Sequence, residues 1–109
     1  MNTPYKDLIA EIKDEECIGV VLGKMGWEDY NNEIVPNYIK MPIGKLIKLE
    51  EAKPFLDYEY NDGYGSPELP CIYAWTPTRI IAVFQYDGST SFYSIPRNPI
   101  DCIPAMVGG

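Results

Sequence analysis

Residues 71–99, CIYAWTPTRIIAVFQYDGSTSFYSIPRNP, decide the fold. Three runs rich in β-branched and aromatic side chains are separated by Thr76-Pro77-Thr78 and by Asp87-Gly88. Proline presets the first turn, and an Asp-Gly pair supplies the positive φ values of a two-residue hairpin. The pattern predicts a three-stranded antiparallel meander over residues 71–75, 79–86 and 90–95, ended by Arg97-Asn98-Pro99, since proline cannot donate to a ladder. In the middle run Ile80, Ala82, Phe84 and Tyr86 alternate with Ile81, Val83 and Gln85, so both faces are largely apolar.

Working outward, Thr3-Pro4 is a helix start, and Tyr5, Leu8, Ile9 and Ile12 recur at helical spacing through about residue 16. Lys6, Asp7, Glu11, Lys13 and Asp14 fall on the opposite, solvated face. The run CIGVVL at residues 17–22 predicts a buried strand, and residues 23–32 a polar loop in which Trp27 and Tyr30 either cover a small core or contact a ligand. Residues 36–47, broken by Pro42 and Gly44, predict one or two short edge strands. LEEAKPFL at residues 49–56 predicts a brief helix kinked or stopped at Pro54. The expected architecture is a single α+β domain spanning residues 1–109. An N-terminal helix and a second short helix pack on one face of an antiparallel sheet centred on residues 79–86. One sheet face then needs a cover, either the chain's own loops or a second copy, and a homo-oligomer is the expectation.

Composition narrows the function. The chain has 46% apolar and 13% aromatic residues, enough to offset ordering entropy by burial. Sixteen acids against nine bases give a net charge of −7, and every lysine lies at or before Lys53. Counterion-releasing contact with nucleic acid needs clustered cations, so nucleic acid is not an expected partner. No apolar run approaches the ~20 residues of a bilayer span, and Cys17, Cys71 and Cys102 lack paired spacing, so a cytoplasmic, membrane-free setting with reduced thiols is expected.

The absence of histidine removes the commonest general base and metal ligand. Gly23-Lys24-Met25-Gly26 and Gly63-Tyr64-Gly65 lack the length and terminal lysine of a phosphate loop. No metal, no cofactor and no catalytic residue is expected. The carboxylates of Asp57, Glu59 and Asp62 sit in polar sequence that does not raise a pKa for acid-base work.

Two sites remain. Arg79 and Arg97, the only arginines, begin the middle strand of the meander and follow its last strand, so both fall toward one end of the sheet. A planar guanidinium matches phosphate and carboxylate and stacks on rings. With Trp75, Thr76, Thr78, Phe92 and Asn98 they make a candidate cradle for a small anionic, ring-containing, nucleotide-like ligand, held without catalysis. The plainer reading pairs each arginine with a nearby acid. The alternative site is DYEYNDGYG, where Asp57, Tyr58, Glu59, Tyr60, Asp62 and Tyr64 mix carboxylates with aromatic contact area, as in an acidic inhibitor docking on a basic protein. The same alternation also fits a half-buried strand.

DYEYNDGYG followed by YAWT, FQYDGSTSF and SIPRNP, over residues 49–99, resembles a group of small proteins of bacteria and their phages. The resemblance brings no assigned activity and transfers no residue role. A phage or mobile-element origin favours a counter-defence protein, whether a sponge for nucleotide signals or an acidic inhibitor.

Overall fold

The computed structural model describes residues 2–25, 34–63 and 65–106. Trp27, Tyr30, Tyr64 and the closing glycines, which the sequence singles out, lie outside them. The elements are α1 (Pro4–Ile12), β1 (Gly19–Met25), a 3-10 turn (Tyr38–Lys40), β2 (Leu46–Ile47), α2 (Leu49–Leu56), β3 (Pro70–Trp75), β4 (Arg79–Tyr86) and β5 (Ser89–Pro96). The fold is α+β. Its five strands pair antiparallel in the order β2-β1-β3-β4-β5.

The meander forms as its turns dictate. Asp87 and Gly88 both have positive φ, 49° and 81°, which lets β4 and β5 pair without a break from Tyr86↔Ser89 to Arg79↔Pro96. Between β3 and β4 the Thr76 N–H donates 3.0 Å to the Arg79 carbonyl. The expected central strand moves by one place, however. β1 pairs with β3 on the side away from β4, so β3 is the middle of the sheet.

Two boundaries and the effect of one proline also differ from expectation. α1 stops at Ile12 rather than near residue 16, with Lys13 at φ 62°. β1 runs past Gly23 to Met25, so the start of the expected loop belongs to the sheet. α2 continues through Pro54 to Leu56, because a proline six residues into an eight-residue helix removes one backbone bond near an end that is about to terminate anyway. Residues 36–45 hold a 3-10 turn and a single parallel bridge, Leu22↔Ile43, leaving β2 as a two-residue edge strand.

Both helices pack on one face of the sheet. Leu8 and Ile12 of α1 and Ala52 and Leu56 of α2 are buried with Val20, Leu22, Ile72, Ala74 and Ile81 from the strands. Thr3 caps α1 by accepting from the Lys6 N–H at 3.0 Å, and Pro4 fills the first position. At α2 the Glu51 carboxylate accepts from the Lys48 N–H at 2.9 Å, which ties down the helix start. Among the described residues no helix is long and apolar enough to cross a membrane.

Candidate functional site

Pairing register separates the sheet into two chemically different faces. Val20, Ala74 and Ile81 are cross-strand partners on the helix face, followed by Arg79, Val83 and Phe92 by alternation. The other face receives Gly19, Val21 and Gly23 from β1, Cys71, Tyr73 and Trp75 from β3, Ile80, Ala82, Phe84 and Tyr86 from β4, and Ser91, Tyr93 and Ile95 from β5. No Lys, Arg, Asp or Glu stands among these positions.

This register sends the expected cradle apart. Arg79 and Arg97 do share one end of the sheet, since Arg79 pairs with Pro96 and the Arg97 N–H donates to the Thr78 carbonyl at 3.0 Å. Their guanidinium groups have different work. Arg79 turns under the helix face, where Nε donates to Glu15 Oε1 at 2.8 Å and the two terminal nitrogens donate to the carbonyls of Glu11 at 2.8 Å and Ile12 at 2.7 Å. It closes the end of α1, taking carbonyls that have no partner within the helix. Arg97 reaches the Thr76 carbonyl at 2.9 Å and has no carboxylate partner among the described residues.

Thr76 and Thr78 belong to the Arg79 cluster. The Thr76 hydroxyl donates to Glu15 Oε1 at 3.0 Å and accepts from the Arg79 N–H, and the Thr78 hydroxyl donates to Glu15 Oε2 at 2.6 Å. The Thr78 hydroxyl and then the Arg79 guanidinium hold the Glu15 carboxyl below its ordinary range. Phe92 packs toward the helices and Trp75 stands on the opposite face, so the two rings do not meet. Asn98 is exposed beyond β5. What looked like a ligand site is in large part a joint between α1 and the β3–β4 turn. Glu15 is its hub, and the sequence offers only a thin signal for it: two glutamates four apart near the end of a helix, in a chain with two arginines.

The alternative site also resolves into structure. Tyr60 is 2% exposed, with its hydroxyl donating to Asp7 Oδ2 at 2.6 Å, and the half-buried Tyr58 donates to the Glu68 carbonyl at 2.7 Å. Burial first pushes both phenols above their ordinary value, and the Asp7 bond adds to the rise at Tyr60. Asp57 and Glu59 point to solvent, while the Asp62 carbonyl accepts from the Thr90 N–H at 2.8 Å. Residues 57–60 are a strap with the rings of Tyr58 and Tyr60 turned in and the carboxylates of Asp57 and Glu59 turned out, the arrangement of a half-buried strand achieved outside any ladder.

Among the described residues no element covers the other face of the sheet. Tyr73 is 58% exposed, Tyr86 51%, Ile95 49% and Leu46 68%. Tyr73 meets Trp75 edge to face at 6.3 Å, and Phe84 meets Tyr93 likewise at 5.7 Å, so the rings are fixed against each other. Beside them lies a groove of about 320 Å³ lined by Val21, Gly23, Ile43, Gly44, Cys71, Tyr73, Ala82 and Tyr93. Gly23 keeps it open, since a Cβ there would come within 3.2 Å of the Cys71 Cβ. Among the described residues no three His, Cys, Asp or Glu side chains gather as a metal site.

Comparison with family models, with curated proteins and with solved structures finds no match. The functional reading therefore rests on the chain's own geometry.

Proposed function

We propose that the protein is a non-enzymatic binding protein that works through the uncovered face of its sheet, docking on an apolar, ring-bearing surface of a protein partner. One observation carries this reading: a sheet face built from exposed Tyr73, Tyr86 and Ile95 around a charge-free groove, in a chain whose other surfaces carry its acids. Contiguous apolar surface of this kind is costly to leave in water, and Tyr and Trp concentrate where proteins meet. The groove fits a single apolar anchor side chain, the usual centre of such an interface.

Capture of a small ring-containing anion is the second reading, favoured by Arg97. Its guanidinium has one neutral carbonyl partner and stands at the Trp75 end of the face. Arg79 is not part of this version, because all three of its nitrogens are committed to α1 and Glu15. Docking on a basic protein through Asp57, Glu59 and Asp62 has less support, since Tyr58 and Tyr60 are turned into the fold.

Titration of isotope-labelled protein with indole, followed by amide chemical shifts, tests the first reading. Shifts clustered at Val21, Gly23, Cys71 and Tyr73 are expected, and shifts scattered over the helices overturn it. Adenosine monophosphate is the probe for the second reading. A shift of the Trp75 indole N–H that Arg97→Ala removes supports anion capture, and no response to the nucleotide eliminates it.

A further inference from the structure

We infer that the occupant of the uncovered face is a second copy of this chain, stacked face to face with its strands running antiparallel to those of the first. The inference rests on the docking reading above and names the partner.

Area is the first argument. β1, β3, β4 and β5, about 4.8 Å apart and six to eight residues long at about 3.3 Å per residue, project a face of about 460 Å². Side-chain relief adds to that, so burial on two copies passes the ~1,000 Å² that distinguishes specific interfaces from incidental contact. Charge is the second. Two molecules of net charge −7 repel wherever their acids meet, and this face brings none of them together. The interior of this face carries no charged side chain and so suits an equally charge-free surface, which a second copy of the same face supplies.

The third argument fixes the orientation. A twofold interface must fit itself: features on the axis meet their own copies, and those away from it pair reciprocally with others. Tyr73, Ala82 and Tyr93 are cross-strand neighbours at the middle of the face. Two residues along β3 in one direction stands Trp75, a ring opposite Gly19, and two residues in the other stands Cys71, at the groove beside Gly23. A twofold axis lying between the sheets, perpendicular to the strands at Tyr73, sets Trp75 of each copy over the groove of its mate. An axis parallel to the strands sets ring on ring and groove on groove. The hairpin makes the same choice independently. Asp87 lies at its turn and Arg97 past its open end, five residues one way and about four the other from the Ala82 level. Antiparallel stacking brings Asp87 over Arg97 twice. Stacking about an axis along β3 carries the hairpin over β1 and β2 of the mate and loses both pairings.

Sedimentation velocity of the intact chain over a wide concentration range tests this. Wild type is expected to move from 12.4 kDa to twice that mass as concentration rises. Tyr73→Lys, at an exposed position, is expected to leave the circular dichroism spectrum unchanged and raise the dissociation constant at least tenfold. Asp87→Arg and Arg97→Asp should each weaken the dimer, and the double exchange should restore it. A dimer indifferent to Tyr73→Lys, or a double exchange no better than the singles, overturns the arrangement. A wild type that stays monomeric while indole still maps to the face overturns self-association alone and leaves the docking reading standing. A monomer with no indole response at the face removes both.

Discussion

The guanidinium of Arg79 and the carboxylate of Glu15 meet at 2.8 Å across the gap between β4 and the segment that follows α1. The same guanidinium takes the carbonyls of Glu11 and Ile12, so one side chain from the sheet ends the helix and fixes the chain leaving it. Glu15 then organises the β3–β4 turn through both threonine hydroxyls.

Arg79→Ala should therefore act on stability and on the end of α1. Charge-assisted hydrogen bonds contribute about 1.5–3 kcal/mol each, and stranding partly buried carbonyls adds to the loss. A fall of about 2–4 kcal/mol is expected on those magnitudes, read as a lower urea midpoint at unchanged slope. Arg79→Lys should recover little, because an ammonium cannot span Nε and two terminal nitrogens at once. Full stability in Arg79→Ala would release this residue for ligand binding.

Acid titration reports the same joint. The carboxyl of Glu15 is held below its ordinary value of 4.5 by the Thr78 hydroxyl and the Arg79 guanidinium. A lowered folded-state pKa means the stabilisation is complete above the unfolded value. It declines as pH falls below about 4.5 and is gone once the folded group protonates. Urea midpoints of wild type and Glu15→Gln should differ at pH 7 and converge toward pH 3. A constant gap across that window would show that the charge of Glu15 is immaterial.

Alkaline pH probes the strap. Burial holds the Tyr58 and Tyr60 phenols protonated in the fold, and the bond to Asp7 reinforces this at Tyr60. A raised folded-state pKa gives stability that is intact below the unfolded value of about 10 and lost as pH climbs beyond it. Absorbance at 295 nm should show two of the tyrosines ionising only with unfolding. Tyr60→Phe keeps the ring, loses the 2.6 Å bond to Asp7, and should cost about 1–3 kcal/mol at pH 7. Equal stability of the two proteins would mean that the ring alone holds the strap.

The meander was legible because its turns are chemically singular: Asp87-Gly88 and Pro77 leave few conformations, and the alternation of Ile80 to Tyr86 states which side chains share a face. The order of the sheet was less so. Nothing local to GVVL tells it to pair with residues 72–75, since that pairing depends on contacts some fifty residues apart. The arginine site misled for a related reason. Two guanidiniums at one end of a sheet can face opposite layers, and a strand reverses that with a single residue. Tyr58 and Tyr60 show the same ambiguity settled by burial: alternation with acids was correct, and their inward direction came from α1 supplying Asp7 and from the Glu68 carbonyl. An apolar second face on β4, in contrast, followed directly from the pattern and is the feature on which the functional reading now stands.

Thiol labelling links the fold to the interface. Modification proceeds through the thiolate, and burial raises the pKa of Cys17, whose thiol donates toward the Gly19 carbonyl at 3.6 Å. Cys71 and Cys102 are exposed, the first on the uncovered face and the second on the chain after β5. In dilute solution Cys71 and Cys102 should label quickly and Cys17 at least tenfold more slowly, as mapped by peptide mass. Raising the protein concentration through the association range should slow Cys71 alone, because the Trp75 ring of the second copy then lies over it. Tyr73→Lys should restore the fast rate. Were Cys71 and Cys102 to keep equal rates at every concentration, the face would be open in solution, and the rings of Tyr73 and Trp75 would be waiting for some other partner.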